Sequence, residues 1–221
     1  MATDMPIGKL VLFEDFLTDN VTDWVETVTG GTSQDMISRH GGWWRQVLAG
    51  DDADACALGA ELAWEVDESD GLIFECRLQT TVAASSSIFV GMSDANNDVV
   101  VIEDEDGTLN TVATDAFGVL LEGEQDATWQ AVGVQNDTDN TQAAFTSGTD
   151  AANTTTQTLR IEAFTRDSGT CLYYLDGALA LSERTSWFRS GIVYCPIVSS
   201  DDRNTAYNAD YDYIYVSAGR S

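Results

Sequence analysis

Residues 158–184, TLRIEAFTRDSGTCLYYLDGALALSER, decide the fold class. Residues 158–166 alternate between two faces, which predicts a strand with one face in a core. The segment Asp167–Gly169 and the pair Asp176–Gly177 each predict a tight reversal, because glycine accepts a positive φ. Three short strands joined by two turns indicate an antiparallel meander and therefore an all-β domain. The expected core face of the first strand carries Leu159, Ile161, Ala163 and Thr165.

The rest of the chain repeats this pattern of short apolar runs between polar turns. Residues 71–80 alternate most clearly, with Leu72, Phe74, Cys76 and Leu78 directed inward. Roughly a dozen such strands, with turn signals about every ten residues, predict two packed antiparallel sheets, a β-sandwich. A length of 221 residues, 43% of them hydrophobic, fits one such domain. We expect a single domain over residues 10–221, preceded by an N-terminal arm at residues 1–9.

The charge of the chain is strongly one-sided. It has 37 acidic and 10 basic residues, for a net charge of −27. Contacts with phosphate need clustered lysine and arginine, so the sequence predicts no nucleic-acid partner and no docking on an anionic membrane. A solvated acidic surface, adaptation to salty water and divalent-cation binding by acidic loops all remain open as explanations.

The sequence gives no sign of targeting or of a zinc site. The start MATDMPIGKL lacks a basic segment followed by a long apolar one, and nothing approaches the 18 or so apolar residues of a membrane span. We therefore expect synthesis and folding in the cytoplasm. The four cysteines lack CxxC spacing and histidine partners, which favours buried free thiols over metal ligands or disulfides. They are Cys56, Cys76, Cys171 and Cys195.

The second half of the chain has an order of strands that resembles a known family. The segments that carry the likeness are Ser87–Ala95 (SIFVGMSDA), Leu159–Glu162 (LRIE), Tyr174–Gly177 (YLDG) and Asp210–Val216 (DYDYIYV). They resemble concanavalin A-like lectin/glucanase (LamG-like) jelly rolls, and more closely the lectin-like domains of bacteriophage virion proteins. The resemblance covers roughly Phe13 to Val216.

This resemblance implies a non-enzymatic bacteriophage virion structural protein. The first expectation is a capsid decoration or cement protein on the outer head surface. The alternative is a glycan-binding module of a tail or fibre that takes part in host attachment. The implied partners are the major capsid protein or other virion proteins, further copies of the chain (a trimer is favoured) and, for the alternative, glycans. Jelly rolls carry unrelated functions, so the role must be argued from a site.

No catalytic residue is predicted. Retaining glycoside hydrolysis needs two carboxyl groups about 5 to 5.5 Å apart. The run Glu103–Asp106 offers carboxylates, but it is consecutive and leads directly into Gly107, which favours a turn. His40 is the one histidine and lies beside two glycines, so a catalytic triad is not indicated.

Two polar segments are candidates for calcium, and no other cofactor is expected. Hard cations take carboxylate and carbonyl oxygens as ligands. Neither segment has EF-hand spacing, and solvated turns explain both equally well. The candidate ligands are Asp94, Asn96 and Asp98 in the first segment and Asp137 and Asp139 in the second.

Two further groups are candidates for binding surfaces. The aromatic residues Trp43, Trp44, Trp187 and Tyr207 could stack on a glycan or form a subunit contact, although core packing is the commoner role for such residues. Because Trp43 and Trp44 are adjacent in a strand, they must point to opposite faces. The arm residues Met5, Pro6, Ile7 and Lys9 are candidates for contact with a capsid partner, with a frayed terminus as the alternative.

Overall fold

A computed structural model describes residues 10–17, 24–51, 53–66, 71–105, 108–145, 150–164, 169–183, 187–189 and 191–218. In these residues the strands are β1 (Leu10–Glu14), β2 (Trp24–Thr29), β3 (Ser33–Ile37), β4 (Trp43–Leu48), β5 (Ala55–Ala60), β6 (Leu72–Thr80), β7 (Ser86–Ser93), β8 (Ile102–Glu105), β9 (Thr108–Thr111), β10 (Asp115–Glu122), β11 (Asp126–Gln135), β12 (Thr138–Asp139), β13 (Ala143–Ala144), β14 (Gln157–Phe164), β15 (Thr170–Leu175), β16 (Ala178–Glu183), β17 (Cys195–Asp202) and β18 (Tyr207–Ala218). A single turn of 3₁₀ helix spans Ala83–Ser85. Within these ranges no helix is long and apolar enough to cross a membrane.

The strands form two large antiparallel sheets. Sheet A has the order β16-β15-β14-β6-β18-β4-β3, with β1 also paired to β18. Sheet B has the order β12-β11-β10-β7-β17-β5-β2, with β13 also paired to β11. Strands β8 and β9 pair with each other as a separate hairpin. The predicted all-β, two-sheet antiparallel sandwich is confirmed.

The meander that opened the sequence analysis forms one side of sheet A. Residues of β14 alternate between buried and half-buried, with Leu159, Ile161 and Ala163 fully buried. The turn at Asp176 and Gly177 uses φ angles of 50° and 79°, the conformation that this pair of residue types favours. The prediction of three consecutive strands is confirmed, while residues 165–168 lie outside the described part of the chain. Residues 33–37 also form a strand, β3, which pairs with β4 although two glycines precede it at positions 30 and 31.

The space between the sheets is filled by large apolar and aromatic side chains. Trp44, Phe74 and Trp129 are among the largest fully buried residues, and Trp44 packs at 6.0 Å from the Phe16 ring. A small polar network also joins the sheets, because Ser200 Oγ of β17 donates to Gln46 Oε1 of β4 at 2.6 Å. Such a buried network is stable only when its members are paired, so it fixes how the sheets align.

All four cysteines are buried and free of disulfides, as predicted. Cys56 and Cys195 lie in sheet B, and Cys76 and Cys171 lie in sheet A. Burial raises the pKa of Cys171 and of Cys195 to about 12. The thiols are therefore un-ionised and unreactive in the folded chain.

In the described residues, the outer face of sheet A carries ion pairs and no covering hairpin. Asp210 on β18 is fully buried there beneath two arginines. Its carboxylate accepts hydrogen bonds from Arg45 at 2.6 and 2.8 Å and from Arg39 at 3.3 Å. Gln79 Nε2 donates a further bond at 3.2 Å. Asp212, two residues away, pairs with Arg77 at 2.7 Å but remains 16% exposed.

This contrast gives a stability prediction. Replacement of Asp210 by alanine removes a buried acceptor of four hydrogen bonds and should lower the free energy of unfolding by about 2 kcal/mol. The matched change Asp212→Ala removes a solvated ion pair and should cost under about 1 kcal/mol. Urea denaturation of the two variants measures the difference; equal losses would contradict the burial argument.

Candidate functional site

The outer face of sheet B is covered by the segment between β7 and β10. The β8–β9 hairpin packs onto this face and forms a second apolar core outside the sandwich. This core contains, from the hairpin region, Val101, Ile102, Leu109 and Ala113, and from the sheet, Ala57, Phe89, Ala116, Leu120, Val132, Val134 and Ile197. The hairpin leaves the side of the face near β2, β5 and β17 uncovered, and a groove forms there.

Glycine on the sheet lets the covering segment lie close. A Cβ atom added to Gly59 of β5 would come within 2.5 Å of the Asn96 carbonyl oxygen. Within the sheet, a Cβ on Gly118 of β10 would meet the ring of Phe89 on the adjacent strand β7 at 2.6 Å. The segment that leads into β8 therefore rests directly on the sheet backbone, and this contact sets the position of one wall of the groove.

The groove has a volume of about 470 Å³. The sheet contributes Thr29, Ala55 and Asp201, whereas residues 97–100 and Glu103 form the opposite wall. Arg203 lies where the two walls meet. The lining is therefore mixed, with carboxylate, amide and hydroxyl groups beside valine side chains.

A single guanidinium holds the two walls together in the described structure. Arg203 Nη2 donates to Glu103 Oε2 at 2.9 Å and to Glu122 Oε2 at 3.3 Å. Arg203 Nη1 lies 3.1 Å from Asp201 Oδ2. Glu103 belongs to β8, Glu122 to β10 and Asp201 to β17, so Arg203 ties the hairpin to sheet B. We call these four residues, together with the adjacent Asp104, the Arg203 cluster.

The Arg203 cluster has more carboxylates than positive charge. Burial raises the pKa of Asp201 to about 7; Arg203 opposes this effect, while Glu103 and Glu122 add to it. Burial also raises the pKa of Glu122, against the pull of Arg203. Among the described residues, Glu122 Oε1 and Asp104 Oδ1 are buried and find no hydrogen-bond partner. Asp201 is therefore protonated below about pH 7, where its hydrogen bond with Glu103 is favoured.

Most residues of the Arg203 cluster were not predicted from the sequence as site residues. The expectation that Glu103–Asp106 form a turn is wrong for its first part, because Glu103 and Asp104 lie in β8 and pair with β9. Their partners are remote in sequence: Arg203 is 100 residues from Glu103 and 81 from Glu122. No local pattern relates residues at such separations, so the cluster could be found only from the sheet order.

The calcium candidates do not come together in the described residues. No group of three or more His, Cys, Asp and Glu side chains there has the geometry to hold a metal ion. Asp98 instead lines the groove, and burial together with the charge of Asp94 raises its pKa. Asp139 accepts a hydrogen bond from Thr111 Oγ1 at 2.8 Å, which ties β9 to β12. Asp137 occupies the turn between β11 and β12 with a φ of 57°.

The four aromatic candidates are all buried, so a role in stacking on glycans is wrong for them. Trp44, Trp187 and Tyr207 lie in the core between the sheets. Trp43 points to the opposite face from Trp44, as predicted, but the Arg39 guanidinium covers its ring at 4.3 Å. Such side chains cannot offer an open ring to a sugar or a subunit. The arm candidates Met5, Pro6, Ile7 and Lys9 lie outside the described residues.

Comparison with solved structures places this architecture in the concanavalin A-like class. The carbohydrate recognition domain of Emp47p matches with a TM-score of 0.64 at 14% identity, over 95% of this chain and 95% of that one. A native glycosidic hydrolase matches with a TM-score of 0.64 at 14% identity, over 96% of each chain. A carbohydrate esterase from the Shiga toxin-encoding bacteriophage phi24B matches with a TM-score of 0.56 at 16% identity, over 92% of this chain and 93% of that one.

The predicted resemblance to the concanavalin A-like fold is confirmed by these matches. No protein-family model matches the sequence, and no curated protein matches it. At these identities the likeness establishes the fold alone, and the neighbours include both lectins and enzymes. The role of the protein therefore depends on its own groove and surfaces.

The protonated Asp201 predicts a pH dependence of stability. Its pKa is raised in the folded chain, so its contribution is complete at acid pH and is lost as the pH rises through about 7. Asp201→Asn cannot lose a proton, so between about pH 5 and about pH 8 the variant should lose less stability than the wild type. Urea unfolding at several pH values tests this, with Asp212→Asn on sheet A as control. Parallel pH profiles for wild type and Asp201→Asn would refute the assignment.

Proposed function

We propose that this protein is a non-enzymatic, lectin-like component of a bacteriophage particle that binds glycans in the groove between sheet B and the β8–β9 hairpin. The observation that carries the proposal is the groove itself, a cleft of about 470 Å³ with a mixed polar and apolar lining on the outer face of one sheet of a concanavalin A-like sandwich. Clefts of roughly 300 to 1,000 Å³ accommodate small ligands, and a short oligosaccharide segment fits that range.

The lining suits sugar hydroxyl groups. Asp98 can accept hydrogen bonds, whereas the exposed amide of Asn97 can both donate and accept them. Thr29 Oγ1 already donates to the carbonyl of Ala53 and accepts from the Ala55 N–H, both at 3.2 Å, which leaves one lone pair for a ligand. Val99 and Val112 supply apolar contact for sugar C–H groups. Alternating polar and apolar contacts of this kind match the two sides of a pyranose ring.

The same groove argues for binding without hydrolysis. A glycosidase needs one carboxyl group as general acid and a second as base or nucleophile, both aimed at the bond that breaks. Here Glu103 and Asp201 face each other and Arg203, and Glu122 is buried behind them. Arg203 engages one oxygen of each of these carboxyl groups and so holds the hairpin to the sheet.

The charge of the chain restricts the ligand further. At −27, with Asp98 and Glu103 in the groove, the protein repels sialylated, phosphorylated and sulfated glycans. Neutral glycans are the class that the groove fits. The phage setting is supported by the sequence resemblance to virion lectin-like domains and by the match to a bacteriophage carbohydrate esterase.

Binding can be tested with an array of neutral and anionic glycans, followed by calorimetry on the ligands found. We expect neutral glycans to bind, and Asp98→Asn to weaken binding ~10-fold through loss of a charged acceptor. The control Asp176→Asn changes an exposed turn of sheet A and should bind like wild type. Absence of binding to every glycan, or equal affinity of the two variants, would refute the assignment of the groove.

Attachment to the outer capsid surface as a decoration protein is the second candidate function. It is favoured by the arginines, because each of the six described ones is paired with a carboxylate: Arg39, Arg45, Arg77, Arg160, Arg189 and Arg203. A chain without free positive charge in its described part is repelled by packaged DNA and suits the outside of a particle. Electron cryomicroscopy of purified particles tests this; density on the head supports decoration, and density confined to the tail refutes it.

A further inference from the structure

We propose that the outer face of sheet A, opposite to the groove, binds a second copy of this chain about a two-fold axis. The inference rests on the order of side chains across that face and is independent of the groove. A self-complementary surface is what a two-fold interface requires, because the same patch must contact itself.

One row of side chains crosses six strands of sheet A in register. The backbone pairings place Tyr174 opposite Leu179, Arg160 opposite Tyr174, and Glu75 opposite Arg160. They continue with Tyr215 opposite Glu75 and Phe13 opposite Tyr215. From β16 to β1 the row therefore reads Leu179–Tyr174–Arg160–Glu75–Tyr215–Phe13.

Read from either end, the row gives the same sequence of side-chain types: apolar, tyrosine, charged, charged, tyrosine, apolar. The two central charges have opposite signs. Consider a two-fold axis that runs along the strands, between β14 and β6, in the plane of contact. It places Leu179 opposite Phe13 of the second copy and Tyr174 opposite Tyr215. It also places Arg160 opposite Glu75, so that opposite charges meet twice at the centre. Apolar pairs close the two ends of the row.

The row is accessible in the described structure. Phe13 is 58% and Leu179 is 55% exposed, which is unusual for large apolar side chains on a flat sheet. The four remaining members are half-buried. Arg160 lies 3.5 Å from Glu75, a longer pairing than its 2.6 Å contact with Glu162, so Glu75 can accept a second guanidinium.

Charge also favours this face for self-association. Two molecules of net charge −27 repel each other wherever their acidic surfaces approach. The outer face of sheet A carries four of the six described arginines, each paired with a carboxylate on the same face: Arg39, Arg45, Arg77 and Arg160. With Asp35 as a further carboxylate opposite Arg45, this face is close to neutral, and contact through it keeps the more acidic surfaces of both copies apart.

The face approaches the size of a stable contact. Five interstrand spacings of about 4.8 Å make it ~24 Å wide. Its length runs from ~17 Å at the five residues of β1 to ~30 Å at the nine residues of β6. The area is therefore roughly 400 to 700 Å², against the roughly 800 Å² that each partner buries in an interface of standard size. A two-fold contact predicts a dimer in place of the trimer that the resemblance favours.

Light scattering coupled to gel filtration tests the oligomeric state. We expect wild type to be a dimer, and Phe13→Asp and Leu179→Asp each to raise the dissociation constant ~10-fold or more. The control Val28→Asp alters a side chain of similar exposure, 51%, on β2 of sheet B and should leave the dimer intact. Circular dichroism confirms that the variants fold. A monomeric or trimeric wild type, or dissociation by Val28→Asp alone, would overturn the proposal.

Crosslinking tests the geometry. Leu179 of one copy should face Phe13 of the other, so a mixture of Phe13→Cys and Leu179→Cys proteins should be joined by a short bis-maleimide. Either variant alone should not be, since two copies of the same position lie at opposite edges of the face. The native cysteines are buried, so wild type serves as the unreactive control. Crosslinks within one variant, or none in the mixture, would overturn the two-fold arrangement.

Because the face and the groove lie on opposite sheets, the two proposals fail separately. Phe13→Asp should bind glycans like wild type, and Asp98→Asn should remain dimeric. If either variant lost both glycan binding and dimerisation, the face and the groove would not be independent.

Discussion

The structure depends on one constraint: very few positively charged side chains must compensate many negatively charged ones. The chain has 10 basic residues for 37 acidic ones. A carboxylate that becomes buried must therefore pair with an arginine or bind a proton; otherwise its desolvation raises the free energy of the folded state. Asp210 beneath Arg39 and Arg45 illustrates the first solution. Asp201 illustrates the second, because its proton lets it lie against Glu103 beside Arg203. The positions of these arginines therefore decide where chain segments can pack together.

The two outer faces of the sandwich differ in what covers them. Sheet B is covered by the β8–β9 hairpin, and beside the hairpin the described residues form a groove with a mixed polar and apolar lining. Sheet A has no covering hairpin in the described residues, and its outer side chains form ladders of alternating charge and aromatic rings. The described part of the molecule thus has a groove on one sheet and a face without a covering hairpin on the other. The proposed glycan binding and the proposed self-association would therefore use opposite sides of the sandwich.

The parts of the structure that depend on neighbours in sequence could be predicted. The alternation at Leu159, Ile161 and Ala163 is a local signal, and so is the Asp176–Gly177 turn, so the meander and the all-β class were correct. The strand order of the family was also recognisable from segments such as YLDG and DYDYIYV. These features depend on period and on turn chemistry, which a short window of sequence contains.

The candidate site depends on contacts that no window contains. Glu103 meets Arg203 across 100 residues because β17 and the hairpin meet on sheet B, and nothing near either residue indicates it. The tryptophans show the opposite error. Trp187 and Trp44 are of a residue type that often stacks on sugars. Both are buried, however, because the packing of the two sheets encloses them. Residue type predicted the chemistry that was available, and topology decided where it could act.

The buried thiols have a practical consequence for following the motions of this molecule. Two lie in each sheet, Cys76 and Cys171 in sheet A and Cys56 and Cys195 in sheet B. A thiol reagent can modify each of them only when its own strand separates from the core. The order in which the four react would therefore reveal which sheet opens first, without any added label.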